Sequence, residues 1–249
     1  AISLMAAVVL STIHADTYTA TNVVVAPLTE AHWIQGAPYN QYTPHSSWLS
    51  GCEAISSSQE LLVWKWPWRL GAVHTASHYV NGECDSVVRF DGSVPFDWDS
   101  MLNTYGNGVG TLKQRHEAAR LSLMCQSLLQ MQYVSGGGDA KKQIPGTMEW
   151  FEYVGSVKPN ANGGDDAAVA AIREDFEFGS PVQVGVPQHA VVGLGYATGT
   201  NSVGTAVDLI WLNYGWGGGS NGWYDLRTTD HYAESGTLYA ASPIQNVHV

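Results

Sequence analysis

The hydrophobic pattern of this chain changes its period at Gly179. Before that residue, apolar side chains recur at helical spacing in three segments, which lie at 52–66, 111–133 and 167–177. After it, short alternating segments are separated by tight turns, at 181–186, 189–196, 207–214, 222–226 and 237–244. The first spacing predicts amphipathic helices, and the second predicts an antiparallel sheet or half-barrel. The chain is therefore predicted to be an α+β protein with a mostly helical front lobe and a mostly β rear lobe.

The remainder of the front half has a less regular pattern. Segment 72–81 is predicted to form one more helix, and 84–98 is predicted to be extended around a turn at Asp91-Gly92. A flexible glycine-rich loop is predicted at 135–139, followed by a short helix near Trp150. These segments carry little recognisable chemistry, so the functional residues are sought elsewhere.

The charge balance argues against two classes of partner. The 249 residues include 11 Lys and Arg against 22 Asp and Glu, a formal net charge of -11, with no basic cluster. Nucleic acid and anionic membrane surfaces are therefore poor partners. A chain of this length buries enough surface to fold without disulfides. Cys84 and Cys125 either pair in an oxidising compartment or remain two unpaired buried thiols, and both alternatives stay open.

The first 15 residues resemble a signal peptide that lacks its basic front end. They contain an apolar run followed by the small residues of Ile13-His14-Ala15, and the polar segment 16–26 follows. A short N-terminal core helix is the alternative. No other apolar run approaches the roughly 18–20 residues of a membrane span. We therefore expect a secreted or periplasmic soluble protein.

Cys52 stands at the predicted start of the first helix. A thiol there feels the positive end of the helix dipole and the unpaired N–H groups of the first turn, which favour thiolate. The alternative is that Cys52 is one more small buried apolar residue. Partner residues elsewhere in the chain have to decide between a nucleophile and a core residue.

Each partner that a cysteine nucleophile needs has a candidate in the chain. His189 opens a strand directly after a turn and is the candidate base, and Asn213 ends a neighbouring strand, where its carbonyl could orient the imidazole. Trp216 could cover that contact, and Gln35 could donate to the oxyanion together with the backbone N–H of Cys52. Taken singly, each of these residues has a structural explanation, but their joint order favours catalysis.

Other catalytic and metal-binding motifs are incomplete. His116-Glu117 begins a zinc-peptidase motif, but Arg120 stands where the second histidine is required. The glycines at 136–138 lack the ending of a phosphate-binding loop, and no calcium-loop spacing is present. We therefore expect no metal and no cofactor.

A set of motifs resembles the streptopain and interpain family of secreted bacterial cysteine peptidases. In chain order they are HWIQGAPYN at 32–40, GC at 51–52, KWP at 65–67, FDWDSM at 96–101, GSPV at 179–182, HAVV at 189–192, NYGWGG at 213–218 and GWY at 222–224. The resemblance implies a papain-like two-lobed catalytic domain over 27–249, with lobes of about 27–178 and 179–249. It also implies that Cys52 is the nucleophile, His189 its base, Gln35 an oxyanion donor, and Asn213 and Trp216 the support of the histidine.

The resemblance further implies where a substrate would lie. Loops on both sides of the cleft are expected to contact it, and the predicted substrate-binding residues are Gly51, Ser135, Gly136, Gly137, Val186 and Gln188. In this family the preference leans toward apolar residues beside the cleavage site.

The chain departs from the family pattern in three places. Glu53 follows the nucleophile where the family favours a small apolar residue, and its charge would weaken a thiolate if it faces the site. Tyr214 replaces a larger apolar residue, which is expected to be harmless. Only 16–26 separates the signal-like segment from the catalytic domain, where family members carry an inhibitory pro-domain, so either regulation differs or the chain is incomplete.

The sequence thus predicts a secreted cysteine endopeptidase that cleaves protein or peptide substrates through an acyl-enzyme. One alternative is a catalytically silent relative that binds peptide or glycan through its tryptophan-rich surface. Another is an amidase or acyltransferase that uses the same residues, because fold and triad are shared across chemistries.

Overall fold

The computed structural model describes residues 18–45, 47–71, 73–80, 83–134, 137–140, 151, 153–158, 166–186, 188–225 and 238–243. Three α-helices lie in these ranges: α1 (Cys52–Trp64), α2 (Leu112–Leu129) and α3 (Asp166–Glu177). All three confirm helices predicted from the periodicity. α2 begins in a capping box, since Thr111 Oγ1 accepts from Gln114 N–H and Gln114 Oε1 accepts from Thr111 N–H.

The rear lobe is built on a seven-stranded sheet. Its strands are β1 (Thr19–Val25), β6 (Tyr153–Lys158), β7 (Val182–Val186), β8 (His189–Thr200), β9 (Ala206–Asn213), β10 (Gly222–Tyr224) and β11 (Leu238–Pro243). The strand order is β10-β9-β8-β7-β11-β6, with β1 also paired to β8, and each pairing is antiparallel. The predicted rear strands and their antiparallel arrangement are confirmed.

Strand β8 is the centre of this sheet. Its first half pairs with β7, its second half with β1, and β9 runs along most of its length. β7 pairs only with the first half of β8, and β1 pairs with the second half on the same side. Residues of the predicted pre-segment 16–26 therefore contribute to the rear sheet. The N-terminal end of β8, where His189 lies, pairs with Val186 of β7, and the pairing with β9 begins at Val192.

The front lobe contains a four-stranded sheet that the sequence did not predict. Its strands are β2 (Val73–Val80), β3 (Glu83–Asp91), β4 (Met131–Val134) and β5 (Gly137–Ala140), in the order β3-β2-β4-β5. The predicted helix at 72–81 is wrong where it is described, because residues 73–80 pair with β3 along their whole length. The predicted loop at 135–139 is also wrong where it is described, since residues 137–140 pair with β4.

Two further predictions are only partly covered by the described residues. The end of the predicted helix 111–133 is strand β4, because Gln130 adopts a left-handed conformation and ends α2. The predicted short helix near Trp150 lies mostly outside the described residues, and Tyr153 begins β6.

Each lobe has its own hydrophobic core, and α1 lies between them. The front core gathers residues of α1, α2 and the front sheet, and the rear core gathers residues of α3 and strands β7 to β10. α1 packs against α2 on one side and against β7 and β8 on the other. The start of α1 is therefore held at the junction of the two lobes.

None of the three cysteines forms a disulfide bond. Cys84 is exposed on β3 and Cys125 is fully buried in α2. In the part of the chain that the structure describes, no helix is both long and apolar enough to cross a bilayer.

Candidate active site

Gly51 fixes the position at which α1 begins. Its φ of 93° lies in the region that favours glycine. A Cβ atom there would collide with the side chain of Met131 and approach the carbonyl oxygen of Gly138 to 3.3 Å. Gly51 therefore lets the helix start lie directly against β4 and β5, with Cys52 as the first helical residue.

The Cys52 thiol is half-buried, and two of its neighbours have opposite effects on its pKa. Its Sγ donates to Glu53 Oε2 at 3.1 Å, whereas the backbone N–H of Ala190 on β8 points toward the sulfur. Burial and the Glu53 carboxylate raise the pKa of Cys52 to about 12, although the N–H groups of Ala190 and Glu53 lower it. The thiol form is therefore favoured here, in spite of the helix dipole.

His189 is presented by the hairpin between β7 and β8. Val186 pairs with His189 across a two-residue turn whose second residue, Gln188, has a φ of 58°, as tight hairpins require. The ring Nε2 lies 2.8 Å from the carbonyl oxygen of Tyr214. Because a carbonyl only accepts, Nε2 carries the hydrogen and Nδ1 of the neutral ring is left as a proton acceptor.

The environment of His189 keeps its ring neutral. Burial lowers the pKa of His189, and the Tyr214 carbonyl opposes this only in part. Trp216 packs against the ring with centroids 4.7 Å apart, and Tyr214 stacks at 6.0 Å. The imidazole is thus restrained on its faces by aromatic rings and along its edge by a backbone carbonyl.

Asn213 does not contact His189 in the way that the sequence predicted. Its Oδ1 accepts from Gly215 N–H at 3.0 Å, and its Nδ2 donates to Ala31 O at 2.6 Å and to Gln59 Oε1 at 2.9 Å. All of its polar atoms are therefore used inside the protein. Asn213 instead fixes the turn that presents the Tyr214 carbonyl to the histidine.

Gln35 and Trp216 lie on two segments that contact each other, and the segment of Gln35 is also bonded to Ser50, just before the start of α1. The Gln35 carbonyl accepts from the backbone N–H of Ser50 at 2.9 Å and from its hydroxyl at 3.1 Å. Ile34 forms a bridge with Trp216, and Gly217 N–H donates to Trp33 O at 3.0 Å. Through these contacts the loop 32–36 joins the start of α1 to the turn after β9.

The predicted substrate-binding residues fall into three groups. Gly51 is buried at the start of α1, and Gly137 lies on β5 next to Gly138, whose carbonyl oxygen faces Gly51. Val186 is buried at the end of β7, whereas Gln188 is exposed in the hairpin turn. Ser135 and Gly136 lie outside the described residues.

Two residues that support His189 and Asn213 were not predicted from the sequence, Tyr214 through its carbonyl and Gln59. The Tyr214 carbonyl is a backbone group, so no side-chain pattern could reveal it. Gln59 is fully buried in α1, and its Oε1 also lies 3.4 Å from the backbone N–H of Trp33. A helix that packs on both sides buries its polar residues, and a buried polar residue needs a hydrogen-bond partner. Gln59 could have been identified on that ground.

The chain is similar to members of one known protein family. A sequence model of the Peptidase C10 family matches residues 33–224. No curated protein sequence matches the chain.

Two solved structures from Prevotella intermedia are similar to the chain. A fragment of prointerpain A superimposes with a TM-score of 0.69 at 22% identity, covering 91% of this chain and 76% of that one. Active wild-type interpain A cysteine protease gives 0.66 at 23% identity, covering 86% and 93%. These matches confirm the papain-like α+β fold. Because the family match spans most of the sequence, the chain belongs to the Peptidase C10 family, the streptopain family of cysteine peptidases.

Proposed function

We propose that this protein is a secreted cysteine endopeptidase that cleaves peptide bonds with Cys52 as nucleophile and His189 as base. The observation that carries the proposal is the hydrogen bond from His189 Nε2 to Tyr214 O. This bond leaves Nδ1 of His189 as a proton acceptor. The next residue, Ala190, points its backbone N–H toward the Cys52 sulfur. The backbone next to His189 therefore lies beside the Cys52 sulfur, which supports the pairing of this thiol with the Nδ1 acceptor.

The reaction proceeds in two halves. The thiol proton passes from Sγ to Nδ1 of His189, and the thiolate attacks the peptide carbonyl carbon. The imidazolium then returns the proton to the leaving amine as the C–N bond breaks, which leaves a thioester on Cys52. Water, deprotonated by the same nitrogen, hydrolyses that thioester and restores the thiol.

The remaining predicted residues support these steps. The Gln35 amide and the backbone N–H of Cys52 stabilise the oxyanion, since the Gln35 backbone is tied to Ser50 beside the helix start. Trp216 shields the bond between His189 and Tyr214 from water. Asn213 acts through the turn that it fixes, rather than by direct contact with the imidazole.

The substrate lies between the β7–β8 hairpin and β5. Val186 and Gln188 contact it from the rear lobe, and Gly51 with Gly137 provide a close backbone approach from the front lobe. Segment 1–15 directs export and is removed, so the N-terminal sequence of protein recovered from the culture medium or periplasm is expected to begin after Ala15.

The test uses casein and a peptide library with the purified protein under reducing conditions. Cys52→Ala and His189→Ala should each abolish hydrolysis while the thermal unfolding transition stays cooperative. Cys84→Ala is the matched control, because this exposed thiol lies on β3 outside the cleft. Full hydrolysis by Cys52→Ala, or release of acylated acceptors instead of free carboxylates, would contradict an endopeptidase with this nucleophile.

A further inference from the structure

The carboxyl group of Glu53 lies beside the Cys52 thiol and has no part in the proposed reaction. It is half-buried, and its Oε2 accepts from the Cys52 thiol at 3.1 Å. The reacting sulfur therefore donates its hydrogen to a carboxylate, while the base of the proposed reaction is bonded on its other edge to Tyr214.

The surroundings of Glu53 come from two sides of the cleft. On β5, the backbone N–H of Ala140 points toward its carboxylate, and the Asp139 carboxylate adds like charge. On β8, the titratable group next to Ala190 is His189. Burial raises the pKa of Glu53 above its usual range, and Asp139 adds to this rise, although the contacts with Cys52 and Ala140 oppose it.

We propose that Glu53 controls the ionisation of the nucleophile: its carboxylate retains the Cys52 thiol and blocks the peptidase, and its protonation frees Cys52 to react with His189. The inference rests on the function proposed above and adds to it that the enzyme is activated by mild acid.

The chemistry differs between the two states of Glu53. When Glu53 is ionised, a thiolate on Cys52 would place two negative charges at hydrogen-bond distance in a partly buried site, where water screens them poorly. When Glu53 is protonated, its O–H can donate to the thiolate sulfur, so the same contact stabilises the reactive form. The thiol S–H bond then breaks, the N–H bond forms at His189 Nδ1, and no charge remains on Glu53.

The direction of each pKa shift fits an acid-active enzyme. A raised pKa lets Glu53 become neutral at a higher pH than an exposed glutamate would. A lowered pKa keeps His189 neutral in the same mildly acidic range, so Nδ1 can still accept the thiol proton. The active window therefore opens as pH falls through the pKa of Glu53.

A simpler role for Glu53 is stabilisation of the helix start, because a negative charge in the first turn favours a helix. That role predicts a change in stability without a change in thiol chemistry. Measurement of thiol reactivity as a function of pH separates the two.

The experiment follows the second-order rate of Cys52 alkylation by iodoacetamide from mildly acidic to mildly alkaline pH, in a Cys84→Ala background. Glu53→Gln keeps the shape but removes the charge. At about pH 7 it should react about tenfold or more faster than the parent, because the thiolate fraction rises. The ratio of the two rates should shrink toward unity as acid protonates Glu53 in the parent.

Glu60→Gln is the matched control. It makes the same change on the same helix at a fully buried carboxyl, and it should leave the alkylation profile unchanged. Equal profiles for the parent and Glu53→Gln, or equal acceleration by Glu60→Gln, would overturn the inference. If Glu53→Gln unfolds, Glu53→Val is measured in its place, and thermal melting shows which variant is folded.

Peptide hydrolysis is measured in parallel. The parent should cleave best in mild acid, and Glu53→Gln should extend activity to neutral pH. If neither protein cleaves peptides but the alkylation profiles differ as stated, the proposed function fails and the control by Glu53 stands. If both cleave with the same pH profile, the function stands and the inference fails.

Discussion

Two buried glutamines join α1 to the rear sheet, and they differ in what lies beyond the contact. Gln59 accepts from Asn213 at 2.9 Å, and Asn213 in turn holds the turn whose Tyr214 carbonyl orients His189. Gln183 on β7 donates to the hydroxyls of Ser56 and Ser57, at 3.1 and 2.9 Å.

The same kind of contact therefore has two consequences. Both glutamines hold the lobes together, and each leaves one amide atom without a partner among the described residues, Nε2 of Gln59 and Oε1 of Gln183. The Gln59 contact differs in that its partner, Asn213, also holds the turn whose carbonyl bonds to His189, the base of the proposed reaction. Buried polar contacts contribute to stability wherever they occur, but they affect catalysis only through what they position.

The largest effect is expected from Asn213→Asp, which places an oxygen where Nδ2 now donates to Ala31 and Gln59. An uncompensated buried charge costs about 3–5 kcal/mol, and the turn that presents the Tyr214 carbonyl should lose its geometry. We expect a large loss of stability in urea unfolding and no measurable peptidase activity in mild acid, where the parent should cleave best.

Asn201→Asp provides the control for that substitution. The Asn201 side chain accepts at Oδ1 from the N–H groups of Val203 and Thr205, and an aspartate keeps both bonds. It should behave like the parent. A stable and active Asn213→Asp protein would remove Asn213 from the comparison.

Gln59→Leu is expected to have the next largest effect. It removes the acceptor of a buried hydrogen bond at a cost of about 1–3 kcal/mol. Because the histidine turn loses part of its support, kcat should fall between about tenfold and a hundredfold, with KM nearly unchanged and an altered pH profile of kcat. A variant that loses stability but keeps its kcat and pH profile would show that Gln59 only holds the lobes together.

Gln183→Leu tests the other contact. It removes the donor to Ser56 and Ser57 but also the unpartnered Oε1, so the net loss should be about 1 kcal/mol. The kcat, KM and pH profile should stay at the parent values, because Gln183 does not bond to Asn213, which holds the turn that contains Tyr214. Equal kinetic losses for Gln59→Leu and Gln183→Leu would break the comparison.

The smallest effect concerns Glu60, the residue after Gln59. Its carboxyl is fully buried without a hydrogen-bond partner in the described residues, and burial raises its pKa well above the usual range. The folded state therefore binds a proton that the unfolded chain releases, and stability falls as pH rises above the unfolded pKa of about 4.3.

Glu60→Gln should remove this dependence. The parent and the variant should have similar unfolding free energies near the unfolded pKa, and the variant should become the more stable as pH increases. Urea unfolding at a series of pH values measures the difference. Parallel curves would mean that Glu60 is not protonated in the folded protein.

Local patterns were sufficient for most of the rear lobe. The strands from β7 to β10 are short and alternate between tight turns, so their identity depends on neighbours in sequence. The same holds for α1, α2 and α3. β2 and β5 were not predicted because they form strands through pairing, β2 with β3 and β5 with β4. The sequence of a short segment does not indicate which strand it will pair with.

The candidate site shows the same division. The order of Gln35, Cys52, His189 and Trp216 along the chain predicted one cleft, and the structure brings their segments together. The partner of His189 was predicted wrongly, because the acceptors that occupy the Asn213 amide lie 182 and 154 residues away, at Ala31 and Gln59. Competition among distant polar groups decides such contacts.

The sequence by itself determined the α+β class, a cysteine at a helix start and a histidine at the start of a strand. It did so because helix starts, hairpin turns and hydrophobic periods are local properties of the chain. Tertiary structure alone decided that Glu53 faces the thiol rather than solvent. The cause is packing: Gly51 lets the helix start approach β4 and β5, and the backbone N–H of Ala140 on β5 then points toward the Glu53 carboxylate.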